Sequence, residues 1–170
     1  ILKSAAAAAN YFATIDNRFT IGIGNPVLRK QLKDKFCSLG GVFVSTISNT
    51  ATLGSYGVTI GEGTNILPGA ILSNDTKIGE GCILYYNVIV THDCVIDDFV
   101  EISPSAIVLG RCSIGSYTQI GANATILPDV IIGKNVIIGA GSVVTKNVPD
   151  NSLVVGVPAI LKKQLPPIKF

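Results

Sequence analysis

The sequence predicts a mainly β chain: a left-handed parallel β-helix of about five triangular coils, preceded by a small βαβ lead. Three observations predict it. Every sixth residue from Ile60 to Val144, fifteen positions without a slip, is Ile, Leu or Val. The residue two before each, from Val58 to Ser142, is small or β-branched. Glycine follows the aliphatic at 61, 79, 115, 121, 133 and 139. A helix would scatter a period of six around its circumference. In a strand, residues two apart share a face. The large residue then fills the interior, the small one sits near a corner, and glycine eases the bend into the next side. Three sides close one coil, and coils stack ~4.8 Å apart as a solenoid.

The elements follow in order. The opening "ILKSAAAAAN" holds five consecutive alanines, and the chain has no methionine. Its first part is therefore expected to be incomplete. "RFTIGIGNPVLRKQLKDKF" reads as a strand over 19–23, a glycine turn and a helix over 26–37. Pro26 suits a first helical turn. "GGVFVSTI" resumes as a strand. Residues 1–46 are thus expected to form an incomplete Rossmann-like α/β subdomain. Gly22, Gly24 and Asn25 make a βα turn of the kind that sits against phosphate or ribose, a pattern tight-turn geometry explains equally well. Residues 47–149 are the β-helix. Residues 150–170 cap it, with Pro149, Pro158 and the lysines ending the exposed edge.

Composition narrows the function. The chain is 48% hydrophobic and 14% charged, with a net charge of +2. Nothing in that balance calls for nucleic acid or an anionic membrane. There is no apolar run of the ~18 residues a membrane span needs. The expectation is a cytoplasmic protein with reduced thiols. Cys82, Cys94 and Cys112 fall in the small inward register and read as core. No metal site is expected, because a zinc centre of three histidines cannot be built from His92, the single histidine.

His92 lies two residues past Val90, which puts it at a corner and not inside. Asn74 lies one coil below it and Gly110 one coil above. Gly110 leaves the space over the imidazole open. Asp93 has Asp75 below and Arg111 above. Arg111 would hold Asp93 ionised and Asp75 would push its pKa up, and the side-chain rotamers decide between them.

The lead "IGIGNPVLRK", the stretch "THDCVIDD" and the terminal "GVPA" together resemble one family over roughly residues 17–163. It is the hexapeptide-repeat group of sialic-acid O-acetyltransferases and bacillosamine-pathway sugar N-acetyltransferases, the NeuD/PglD type. The resemblance implies a homotrimer with acetyl-CoA in the cleft between adjacent β-helices. It makes His92 the general base and Asp93 its support. Gly110 would lie along acetyl-CoA, and Gly121, Gly139, Ala140 and Gly141 would let the pantetheine approach closely. Lys162, with Lys146 and Lys163, would meet its phosphates. The lead would help hold a nucleotide sugar through Gly24 and Asn25, with Tyr85 and Asn87 nearby. This chain has Glu101 where the family commonly carries a second histidine, and Tyr85 where it carries an asparagine. Asp97 replaces the family's glycine after the motif.

The function implied is transfer of an acetyl group to an amine or hydroxyl of a sugar. The acceptor expected is a nucleotide-linked amino sugar on the way to a surface polysaccharide or glycan. O-acetylation of sialic acid, another small acceptor on the same fold, and a non-catalytic hexapeptide scaffold are the alternatives.

Overall fold

Each hexad folds into a two-residue strand and a four-residue corner in the computed structural model, which describes residues 3–169. Strands recur on three faces and pair in parallel with the coils above and below. Face 1 runs from Thr46–Ile47 through Ile83–Leu84 and Glu101–Ile102 to Ser152–Gly156. Face 2 runs from Thr52–Leu53 through Ile89–Val90 to Val143–Val144. Face 3 runs from Thr59–Ile60 through Val95–Ile96 to Ile131–Ile132. The fold is a parallel β-solenoid of about six turns, more than the five counted from the repeat.

The difference lies at the two ends. Ile60 pairs with Ile78 at the ordinary spacing. Ile47 pairs with Ile66 and Leu53 with Leu72, one residue further apart, so the corner at 54–58 carries an inserted residue. At the top, Ile132 bridges Val148 and Ile138 pairs with Val154, two residues closer. The coil continues through both slips, but a strict period of six stops at them.

The interior follows the register. Leu72, Leu84, Val90, Ile96, Ile102, Ile114, Ile120, Ile126 and Ile138 are almost wholly buried, each contributing ~1.5–3 kcal/mol through burial. Cys82, Cys94 and Cys112 stack among the small residues at the corners and are buried as well. Each thiol points at a carbonyl of the next coil. Cys94 Sγ donates to Leu109 O at 3.2 Å and Cys112 Sγ to Leu127 O at 3.1 Å. Burial pushes the Cys82 thiol up to about 12.

Ahead of the solenoid stand helix α1 (Ala5–Thr14), strand β1 (Arg18–Phe19), helix α2 (Pro26–Ser38) and strand β2 (Val42–Phe43). β1 and β2 pair in parallel around α2, the βαβ connection the sequence predicts. The first strand is shorter than expected, ending at Phe19. α1 is an addition. Alanine is the best helix former, and the Ser4 hydroxyl caps the run by accepting from Ala7 N at 3.1 Å.

The lead docks on the lower part of face 1, and a buried arginine holds it. All five N–H groups of Arg29 meet backbone carbonyls. Nε donates to Gly81 O at 2.6 Å. Nη1 donates to Ile23 O and Gly24 O at 2.7 and 2.8 Å. Nη2 donates to Phe99 O and Val100 O at 2.9 and 3.3 Å. Asn65, on face 1 and 6% exposed, adds a second latch. Its amide oxygen accepts from the Thr20 and Thr46 hydroxyls, and its nitrogen donates to Ile21 O. Phe43 and Phe99, with Phe19 and Phe36, close the apolar side of the joint. Face 2 is left bare.

Candidate active site

His92 and Asp93 occupy the corner between faces 2 and 3. The coil can turn there because the third corner residue takes a left-handed backbone. Asp93 has φ 58°, and Asp75, Arg111 and Asp129 repeat that conformation up the same column. Asp and Asn tolerate it better than most residues because their short side chains bond locally. The neighbouring coils clamp the corner. Asp93 N donates to Asn74 O at 3.2 Å and Arg111 N donates to His92 O at 3.0 Å.

Within the corner, His92 Nδ1 and Asp93 Oδ2 lie 2.7 Å apart, and both side chains are about half exposed. With its proton on Nδ1, facing the carboxylate, the imidazole turns a lone pair outward on Nε2. Gly110 lies directly against the ring. A Cβ there would come within 2.7 Å of Cε1 and Nε2. The corner thus carries an oriented base over a patch of bare backbone.

Arg111 does not hold Asp93. Its guanidinium forks onto Asp129, one coil further up, with Nε–Oδ1 2.6 Å and Nη2–Oδ2 2.8 Å. A bidentate pair with a free carboxylate outcompetes one already bonded to an imidazole. The fork holds the Asp129 carboxyl below the usual carboxylate range. Asp75 lies against Gly57, on the coil below, and not against Asp93.

The other proposed contacts lie elsewhere. Tyr85, Gly121 and Gly139 form one column at the corner between faces 1 and 2, and Asn87 and Gly141 form another beside it. Ala140 is exposed between them. This corner and the histidine corner are the two edges of face 2, so within one chain they do not meet. The glycines differ in what they permit. At Gly121 a Cβ would lie 2.5 Å from Ala140 N, so its bareness serves coil stacking. Gly141, at φ +68°, faces open space. Lys146 sits in the shortened corner at the top of the His92 column. Lys162 and Lys163 are exposed on the terminal strand Ala159–Gln164, the antiparallel edge of face 1.

Gly24 and Asn25 start α2. Asn25 Oδ1 is engaged as the helix cap, accepting from Leu28 N at 2.9 Å. Gly24 abuts Glu101 on face 1. Arg29 and Asn65, which fix the lead in place, escaped the sequence reading. The available signal for Arg29 was its spacing, one helical turn before Leu32 and two before Phe36, on the apolar side of α2. Among the described residues no three His, Cys, Asp or Glu side chains converge as metal ligands. No helix among the described residues is long and apolar enough to cross a membrane.

The sequence matches the bacterial transferase hexapeptide family (six repeats) over residues 57–92, 93–127 and 111–146. The structure matches PerB from Caulobacter crescentus, solved with CoA and GDP-perosamine, at a TM-score of 0.90 and 31% identity, over 93% of this chain and 76% of that one. The chain belongs to the hexapeptide-repeat sugar acetyltransferases. Two further solved structures resemble this hexapeptide transferase. WeeI from Acinetobacter baumannii AYE is 34% identical, with a TM-score of 0.71, over 85% of this chain and 70% of that one. The acetyltransferase domain of PglB from Neisseria gonorrhoeae FA1090, solved with acetyl coenzyme A, is 31% identical, with a TM-score of 0.80, over 84% and 69%. Two structures of the Caulobacter enzyme carry a single histidine replaced, by asparagine in one and by alanine in the other. No curated protein sequence matches this hexapeptide transferase.

Proposed function

We propose that this protein moves the acetyl group of acetyl-CoA to a sugar carried on a nucleotide, with His92 as general base. The observation that carries the reading is the His92–Asp93 contact of 2.7 Å beside the bare backbone of Gly110. The acceptor attacks the thioester carbonyl carbon and gives a proton to Nε2. Asp93 fixes the tautomer and stabilises the imidazolium, and the proton then passes to the departing thiolate. General-base assistance of this kind contributes ~10²–10⁴ in rate. CoA, acetyl-CoA and GDP-perosamine in the matched structures support the donor and the class of acceptor.

The site is completed by a homotrimer. Residues facing out from face 2 are Thr52, Ile71, Ile89, Ile107, Thr125 and Val143, with no charge among them. A threefold assembly that turns this face toward the axis sets the histidine corner of one copy against the opposite corner of the next. His92, Asp93 and Gly110 then share a cleft with Tyr85, Asn87, Ala140 and Gly141 of the neighbour. The finer reading of the fold belongs to the same proposal. It is a left-handed β-helix over 47–149, a Rossmann-like lead over 1–46 that helps seat the nucleotide, and a cap over 150–170 whose lysines meet the CoA phosphates. Dependence on acetyl-CoA supports a cytoplasmic location.

The test is thiol release from acetyl-CoA with a panel of GDP-, UDP- and dTDP-linked amino sugars and sialic acid. His92→Ala is expected to lower turnover at least ~10²-fold while the assembly stays folded. Turnover equal to the parent's would remove the base from this reading.

A further inference from the structure

The Glu101 carboxylate is a group the mechanism above leaves unused. It stands on face 1, one coil above Ile83, at the upper rim of the docked lead. Gly24 packs so closely against it that a Cβ would lie 2.9 Å from Oε1. It is half-buried, yet among the described residues it makes no hydrogen bond or ion pair. The field of Arg29 reaches it, but all five Arg29 N–H groups are engaged by backbone carbonyls. Burial raises the Glu101 pKa more than Arg29 lowers it, so its charge is held at a cost. The carboxylate is therefore a half-buried acceptor with no donor from the protein, whereas every fully buried side-chain polar atom among the described residues has a partner.

The cleft that adjoins Ile83, its paired neighbour one coil below, suggests where the donor comes from. Between the lead and face 1 lies a space of about 270 Å³, lined by Thr20, Gly22, Leu67, Ile83 and Tyr85. Leu67 and Tyr85 belong to the corner between faces 1 and 2. On the reading proposed above, that corner receives His92 of the next copy.

Resting on that reading, we propose that Glu101 accepts a hydrogen bond from the nucleophilic amine of the acceptor and thereby selects an amino sugar over a hydroxyl sugar. Proton counting makes the selection. A neutral primary amine carries two N–H groups. As its lone pair forms the C–N bond and the C–S bond breaks, one proton goes to His92 Nε2 and on to the thiolate sulfur. The other stays on the nitrogen, as the amide N–H of the product, and remains donated to Glu101. A hydroxyl has one proton, which the base must take. Its lone pairs would face a carboxylate with nothing to offer it.

The experiment compares parent, Glu101→Gln and His92→Ala on the amino sugar of that panel the parent turns over fastest and on the same nucleotide sugar bearing a hydroxyl in place of the amine, following thiol release and melting temperature. Glu101→Gln is expected to raise KM for the amine by ~10-fold or more, with kcat within ~3-fold, and to collapse the preference for amine over hydroxyl. Its melting temperature should equal or exceed the parent's, because a desolvated charge has been removed. Unchanged KM and preference overturn the proposal, and a fall in melting temperature alongside them makes Glu101 a counter-charge for Arg29 only. If His92→Ala is inactive while Glu101→Gln behaves as the parent, this inference fails and the functional reading stands. A parent that acetylates no sugar of the panel, or a His92→Ala that acetylates as the parent does, overturns the functional reading itself.

Discussion

At the scale of single residues, the candidate site depends on one side chain that is missing. Gly110 takes no left-handed backbone, so its φ does not demand glycine. What demands it is the imidazole, which fills the space a Cβ would take, 2.7 Å from Nε2. Gly110→Ala should therefore fold normally, since a half-exposed ring can swing aside, but the ring would leave its place over the corner. We expect a melting temperature within a few degrees of the parent and a loss of ~10²-fold or more in kcat, because catalysis is sensitive to displacements of about 1 Å. Full activity in that variant, in the same thiol-release assay, would show that the imidazole works from another position. This geometry was largely legible in the sequence, because the repeat puts Gly110 one coil above His92 whatever the rotamers are. The partner of Arg111 was not. Asp93 and Asp129 lie one coil below and one coil above it, and only side-chain geometry decides between them.

At the scale of elements, the lead and the solenoid were legible to different degrees. Fifteen hexads in strict register made the solenoid's middle plain. Its ends were hidden by one residue inserted at 54–58 and two lost between Val144 and Val148, slips a corner absorbs and a period count does not. The βαβ pattern was readable too, but not its attachment, because an arginine in the helix segment "VLRKQLKDKF" passes for a solvated charge. Arg29 is instead the pin of the joint. Arg29→Met would keep the volume and leave the carbonyls of Gly81 and Phe99 without their donor, while Val100 O keeps its bond from Ile83 N. The expected cost is ~3–5 kcal/mol, confined to the joint. Hydrogen exchange should then show α2 and β2 losing protection while the coils from Val88 upward keep theirs. Equal loss in both would mean that the lead and solenoid unfold as one unit.

At the scale of the whole molecule, the triangular section explains why the proposed trimer would divide the site between two chains. His92 and Gly141 sit on opposite edges of face 2, and no rotamer change brings them together. In the proposed trimer, a ring of copies around an axis beside face 2 would make each cleft from two chains, so two inactive variants should rescue each other. His92→Ala keeps the open corner at Gly141 and loses the base. Gly141→Arg keeps the base and fills the open corner, with arginine at a φ of +68° as an added local strain. Each variant by itself has no complete cleft. When the two are unfolded together and refolded as an equal mixture, random threefold assembly gives about one cleft in four with an intact base facing an intact corner. Activity should therefore return to roughly a quarter of the parent's, and separate refolding of either variant should restore none. A mixture that stays inactive while parent protein refolds with full activity would place the whole site on one chain. Ile107→Glu, which puts a charge at the centre of face 2, checks the same geometry from the other side. It should yield folded monomers by light scattering with acetyl transfer lost, because the proposed cleft would exist only where two copies meet.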